Sequence, residues 1–145
     1  MSHLSNPNLE QRANVANEQH ANIYISIHAG MLAHGVRLYT AALPSAQPPA
    51  GKFLPWESAQ SAFLDRSKSI ARIIENELHK TDLPVVSMAA SLRPLNNITA
   101  PAIAVEVAPS QGELQGSSSQ SFQSTVVFTL AGAIALARAQ WEAHP

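Results

Sequence analysis

Two residues stand where their side chains could do chemistry. His28 follows the alternating run Asn22-Ile23-Tyr24-Ile25-Ser26-Ile27, in which the isoleucines share one face. That alternation reads as a buried β-strand. The histidine lies at its C-terminal end, the edge of an open α/β sheet where ligand sites tend to gather. Fixed there, an imidazole is placed to hold a metal or move a proton. The alternative is a core or loop histidine bonded to backbone. Glu106 is the second such residue. It interrupts the apolar run Ala102-Ile103-Ala104-Val105-Glu106-Val107, where a carboxylate is costly to bury without a partner. It reads either as a general acid–base group or as a structural Glu hydrogen-bonded at a strand end.

The elements that must position them follow from the pattern. Asn6-Pro7 predicts the start of a first helix, with Asn6 as cap, running to about His20. Leu9, Ala13, Ala16 and His20 share one face of it. Strands are expected over Asn22 to His28, Val36 to Thr40, Val85 to Met88 and Ala102 to Val107. The last is apolar on both faces apart from Glu106, as a central strand covered on both sides would be. Met31 to His34 make a short excursion. Residues 42–55 form a Pro-rich loop with Pro44, Pro48, Pro49 and Pro55. A long helix is expected from Trp56 to Lys80, stopped by Asp82-Leu83-Pro84. Leu92 to Pro101 is a turn-rich link, and Pro109 to Ser119 reads as a polar loop. A final helix spans about Ser121 to His144, with Phe122, Val126, Leu130, Ile134, Ala137 and Trp141 on its buried face.

Composition narrows the class. The chain has 145 residues, which is one domain or less. Charged residues are only 13%, against a typical ~25%, which leaves apolar surface to meet something else. A net charge of −1 gives no pointer to nucleic acid or an anionic membrane. No cysteine is present, which excludes disulfides and Cys-type zinc sites. No uninterrupted run approaches the ~18 apolar residues of a membrane span. Met1 to Asn8 is polar and does not read as a signal peptide.

The order of motifs resembles the zinc-dependent N-acetylmuramoyl-L-alanine amidases of the amidase-3 family. That family reads L-x-x-R-x-x-x-A-N, then S-I-H-A-N, then G-V-x-x-Y, then L-R, then P-A-x-x-V-E. The matching residues are Leu9, Arg12, Ala16-Asn17, Ser26-Ile27-His28-Ala29, Gly35-Val36 with Tyr39, Leu92-Arg93, and Pro101-Ala102 with Val105-Glu106. The resemblance runs from about Leu9 to the final helix. It implies an α/β three-layer sandwich, phosphorylase/hydrolase-like, with a mostly parallel or mixed sheet. It implies a single domain over 1–145, partial at its N-terminal side. In the family a G-H-G strand and a Glu-bearing helix come first and supply two zinc ligands. Such a βαβ unit takes at least ~30 residues, and eight precede Leu9.

By the same resemblance, His28 is a zinc ligand and Glu106 the general base and acid. Arg93 would face peptide carboxylates through its fork. The activity implied is hydrolysis of the amide between N-acetylmuramic acid and L-alanine in bacterial peptidoglycan, at a periplasmic or extracellular cell wall. The alternative is a non-catalytic peptidoglycan-binding or amidase-regulating module. His34 and His3 are the stand-ins for missing ligands. His20, His79 and His144 read as helix-end residues, Arg12 as an ion-pair partner, Asn17 as a helix cap, and Tyr39 and Trp56 as packing residues. After Val107 the chain has Ala108-Pro109-Ser110 where the family has Gly-Phe and then Ser-Asn, which alters the floor beside Glu106. Three expectations follow. His28 and Glu106 should open into one cleft. The chain alone should not hold zinc tightly. It should self-associate as a homo-oligomer through an open strand edge or apolar helix face.

Overall fold

The computed structural model describes residues 8–30, 33–43, 56–110 and 117–143. Its elements are α1 (Leu9–Glu18), β1 (Tyr24–Ala29), β2 (Gly35–Ala41), a 3-10 turn (Trp56–Ala62), α2 (Leu64–Leu78), β3 (Val85–Ala90), a short 3-10 turn (Leu95–Asn97), β4 (Ala102–Ala108) and α3 (Ser117–Ala143). The Asn6-Pro7 start, His3, His144, the Trp56 side chain and most of the Pro-rich loop lie outside the described residues. So do parts of the Met31 to His34 excursion and of the loop after Pro109.

The four strands lie in the order β1-β4-β2-β3. β4 runs parallel to β1 and antiparallel to β2, and β2 runs parallel to β3. The sheet is therefore mixed, and β4 is an interior strand, as its two-sided apolarity requires. The expected α/β sandwich is present in three layers.

The two faces of the sheet differ in side-chain size. On one, Ile103 and Val105 of β4 and Val36 and Leu38 of β2 pack under Ile70, Ile74 and Leu78 of α2. Phe122, Val126, Leu130, Ala133 and Ala137 of α3 complete that layer. On the other, Ala102, Ala104 and Ala41 meet Ala13 of α1 and Leu95, Ile98 and Ala100 of the link before β4. Alanine on this face lets irregular backbone approach the sheet closely.

Several boundaries differ from the sequence reading, among them the start of α3 at Ser117, and two have a clear cause. Helix α1 is capped by Asn8, not Asn6. The Asn8 side chain accepts from the Gln11 backbone N–H, and Gln11 Oε1 accepts from the Asn8 N–H, both at 2.8 Å, a capping box. The Trp56 to Lys80 helix is broken at Phe63 into a 3-10 turn and an α-helix. The cause is tertiary. Gln60 is fully buried, and its Nε2 donates to the carbonyls of Ile98 at 2.5 Å and Ala100 at 2.6 Å. Those bonds hold the tighter turn, overriding helical propensity. Ser67 extends the clamp, since its Oγ accepts from the Ala102 N–H at 2.9 Å and donates toward Gln60 Oε1 at 3.2 Å. The segment that feeds β4 is thus pinned from α2.

Helix α3 contains a stretch, Gln120–Ala143, long and apolar enough to cross a membrane by length and composition. Counting uninterrupted apolar runs in the sequence missed it. One stripe of that stretch lies in the core described above, while Val127, Phe128 and Leu136 on its other side are exposed. Ala133 belongs to the buried stripe, and Ile134 is half-buried.

Replacing Gln60 by Leu should leave the Ile98 and Ala100 carbonyls buried without donors. The expected cost is about 2–6 kcal/mol, at about 1–3 kcal/mol for each of the two unsatisfied groups. Urea unfolding of the Gln60→Leu variant measures it directly.

Candidate active site

A row of three polar side chains crosses the sheet. His28 on β1 is the registered partner of Glu106 on β4, and Glu106 is in turn the registered partner of Arg37 on β2. Neighbouring strands lie about 4.8 Å apart, so imidazole, carboxylate and guanidinium stand side by side. Arg37 Nη1 donates to Glu106 Oε1 at 2.5 Å, with side-chain exposures of 18% and 25%. Arg37 Nη2 donates to the Ala33 carbonyl at 3.3 Å, tying the guanidinium to the approach to β2.

Gly30 completes the seat of the carboxylate. Its N–H donates to the Val107 carbonyl at 2.8 Å, which holds its Cα over the end of β4. A Cβ at Gly30 would lie 2.7 Å from both Cγ and Oε1 of Glu106. The bare glycine is therefore what allows Glu106 to sit there. Gly35, at the head of β2, is required for another reason. Its φ is +123°, and a Cβ would collide with the Pro84 carbonyl.

His28 and Glu106 line one cleft of ≈ 300 Å³, as the sequence led one to expect. Tyr39 and Ala104 contribute to its floor, and the Leu92-Arg93-Pro94-Leu95 segment forms a wall. Arg93 is exposed on that wall. The wall is held by Asn17, whose Nδ2 donates to the Asn97 carbonyl at 3.0 Å while its Oδ1 accepts from the Thr99 N–H at 2.8 Å. Asn17 is thus a bridge from α1 to the cleft wall, not the helix cap its position suggested. Burial pushes the Tyr24 phenol above its ordinary range, with the charge of Arg12 pulling the other way.

The other described histidines lie elsewhere. His34 is not among the cleft-lining residues; its ring packs on Phe122 with centroids 5.9 Å apart. His79 pairs loosely with Glu75 at 3.8 Å near the end of α2. His20 adopts φ +49° just past α1, a helix-terminating conformation. Sequence reasoning missed Arg37. Its signal was available: in Gly35-Val36-Arg37-Leu38-Tyr39, alternation puts Arg37 on the face opposite Val36 and Leu38. A charged side chain in mid-strand needs a partner of opposite sign.

A family model described as N-acetylmuramoyl-L-alanine amidase matches residues 2–135, most of the chain. The chain belongs to this amidase family. Comparison with curated proteins returns no match. Membership of the amidase family makes hydrolysis at peptidoglycan the family-level activity. A catalytic zinc takes three protein ligands and a water. Among the described residues, no group of three or more His, Cys, Asp or Glu side chains gathers to hold a metal. Glu106, registered beside His28, is bonded to Arg37. The described residues do not by themselves fit a zinc site.

A Gly30→Ala substitution should force Glu106 from its seat and break the bond to Arg37. The expected loss of stability is about 1–3 kcal/mol, the usual range for overpacking. Thermal unfolding, with a crystal structure of the variant to locate the carboxylate, tests it.

Proposed function

We propose that this chain carries the cleft of an amidase that cleaves the bond between N-acetylmuramic acid and L-alanine. The observation that carries the reading is the registered pair His28–Glu106 opening into one cleft beside Arg93. In this reading Glu106 takes a proton from the attacking water as oxygen adds to the amide carbonyl. It then delivers that proton to the departing nitrogen as the C–N bond breaks, leaving a carboxylic acid and the free amine of L-alanine. By the family resemblance, His28 would be one of the residues that hold a zinc. Such a metal would polarise the carbonyl and activate water. Arg93 offers its fork to a stem-peptide carboxylate. The substrate places the enzyme in the periplasm or outside the cell.

One observation favours a second reading, a peptidoglycan-binding or amidase-regulating module without turnover. Glu106, the proton-transfer group, is already engaged by Arg37. Purified muropeptide incubated with the protein and zinc, followed by mass spectrometry, separates the two. Release of the free peptide supports the amidase; binding without release supports the module. In the active enzyme, Glu106→Gln should lower turnover by ~10²–10⁴-fold while keeping the metal. His28→Ala should lose the metal itself, which elemental analysis reports.

Self-association belongs to the same proposal. Among the described residues, β1 pairs on one side only, with β4. Ile27 on that strand and Val127 and Phe128 on α3 are exposed. Unpaired edges and apolar patches of this kind recruit other chains. Light scattering coupled to size exclusion should give a mass of at least a dimer; a stable monomer contradicts it.

A further inference from the structure

Two residues back along β1 and β4 from His28 and Glu106, a second row crosses the same face of the sheet. Ser26 and Tyr39 are both registered on Ala104. We propose that this row, Ser26–Ala104–Tyr39, seats the acetamido group of an N-acetylated amino sugar. The inference rests on the amidase reading above and names the part of the sugar that the cleft recognises.

Three observations support it. First, the row has a hollow at its centre. Ala104 offers a single methyl between two larger side chains, each on a strand about 4.8 Å away. Leu92 and Leu95 give the hollow an apolar flank within the cleft of ≈ 300 Å³. Second, the two hydroxyls are uncommitted. Ser26 and Tyr39 are half-buried and line the cleft. Among the described residues, neither side chain has a hydrogen-bond partner. Third, the row stands at a suitable reach from the proton-transfer group. Two residues of strand span ~7 Å. In N-acetylmuramic acid the acetamido group lies a few covalent bonds from the scissile carbonyl, a comparable distance.

Chemistry decides the ligand class. An acetamido group carries an N–H donor, a carbonyl acceptor and a methyl. A hydroxyl both donates and accepts. Ser26 Oγ accepts from the amide N–H, Tyr39 Oη donates to the amide carbonyl, and the methyl rests on Ala104 against the leucines. The row carries no charge, so it selects neither a carboxylate nor an ammonium. The neighbouring row differs in kind, since there Glu106 is bonded to Arg37. A sugar with a plain hydroxyl in place of the acetamido group leaves the apolar floor unfilled and at least one hydroxyl without its partner.

The test is an NMR titration of the whole chain, with alanine methyls and tyrosine rings labelled and a chelator present. The probes are N-acetylmuramoyl-L-alanyl-D-isoglutamine and its counterpart with a hydroxyl in place of the acetamido group. The acetylated probe should bind tighter by about tenfold or more, as a site built to hydrogen-bond a group rejects the analogue lacking it. It should also shift the Ala104 methyl and the Tyr39 ring. Tyr39→Phe and Ser26→Ala should each lose part of that preference without changing the affinity for the hydroxyl counterpart. Ala104→Leu fills the hollow and should abolish the preference. Wild-type chain that binds both probes equally, or neither, overturns the proposal, and that comparison needs no variant to fold. So does an Ala104 methyl unmoved by the acetylated probe, or a preference that survives in Ser26→Ala/Tyr39→Phe. Failure of the amidase reading shows as uncut muropeptide when zinc is supplied, and leaves the binding comparison unaffected.

Discussion

A carboxylate on an interior strand must find a partner within reach of the same sheet face. In this chain that requirement falls on Glu106, and Arg37 on the adjoining strand meets it. The pairing needs β2 to run antiparallel to β4, because that register sets Arg37 opposite Glu106. Gly30 at the end of β1 leaves the space the carboxylate occupies, since a Cβ there would lie 2.7 Å from it. Strand order, strand direction and one glycine are thus tied to a single ion pair. The cleft inherits its geometry from them.

Size selection on the two sheet faces does the rest. Branched residues fill the side under α2 and α3 and supply most of the apolar burial. The opposite side is paved with alanine, so the link before β4 can lie close to the strands and wall the cleft. Irregular backbone so near a core carries polar groups that need partners. Gln60, Ser67 and Asn17 supply them, reaching from the α2 side and from α1 to neighbouring parts of one segment. The side chains that brace this segment are therefore amides and a hydroxyl bonded to its backbone.

Much of this was legible in the amino-acid sequence. The isoleucine alternation located β1, though as an edge strand with Ile27 exposed rather than the buried strand it suggested; the two-sided apolar run located β4 as an interior strand, and the apolar stripe from Phe122 located α3. The motif order led to the amidase family that the family model supports. What escaped was tertiary. The break at Phe63 depends on carbonyls of Ile98 and Ala100, almost forty residues away in sequence, and no local preference encodes it. Asn8 rather than Asn6 caps α1 because Gln11 stands three residues later to close the capping box. Arg37 was passed over because its strand was matched as a motif and not resolved into faces. Asn17 was read as a helix cap, since its bridge becomes visible only when residues 97–99 are placed beside α1.

The described site is divided between two kinds of strand. Glu106 and Arg37 stand on β4 and β2, each flanked by neighbours on both sides, whereas His28 stands on β1, hydrogen-bonded to the sheet along one margin. Margins open more readily than interiors, and they do so in cooperative units. Fraying of β1 would carry the imidazole away and leave the carboxylate–guanidinium pair standing. The separation between His28 and Glu106 is therefore a property of the outer margin of the sheet. Whatever docks along that margin acts as a splint, and fixes the distance across which the two groups can cooperate.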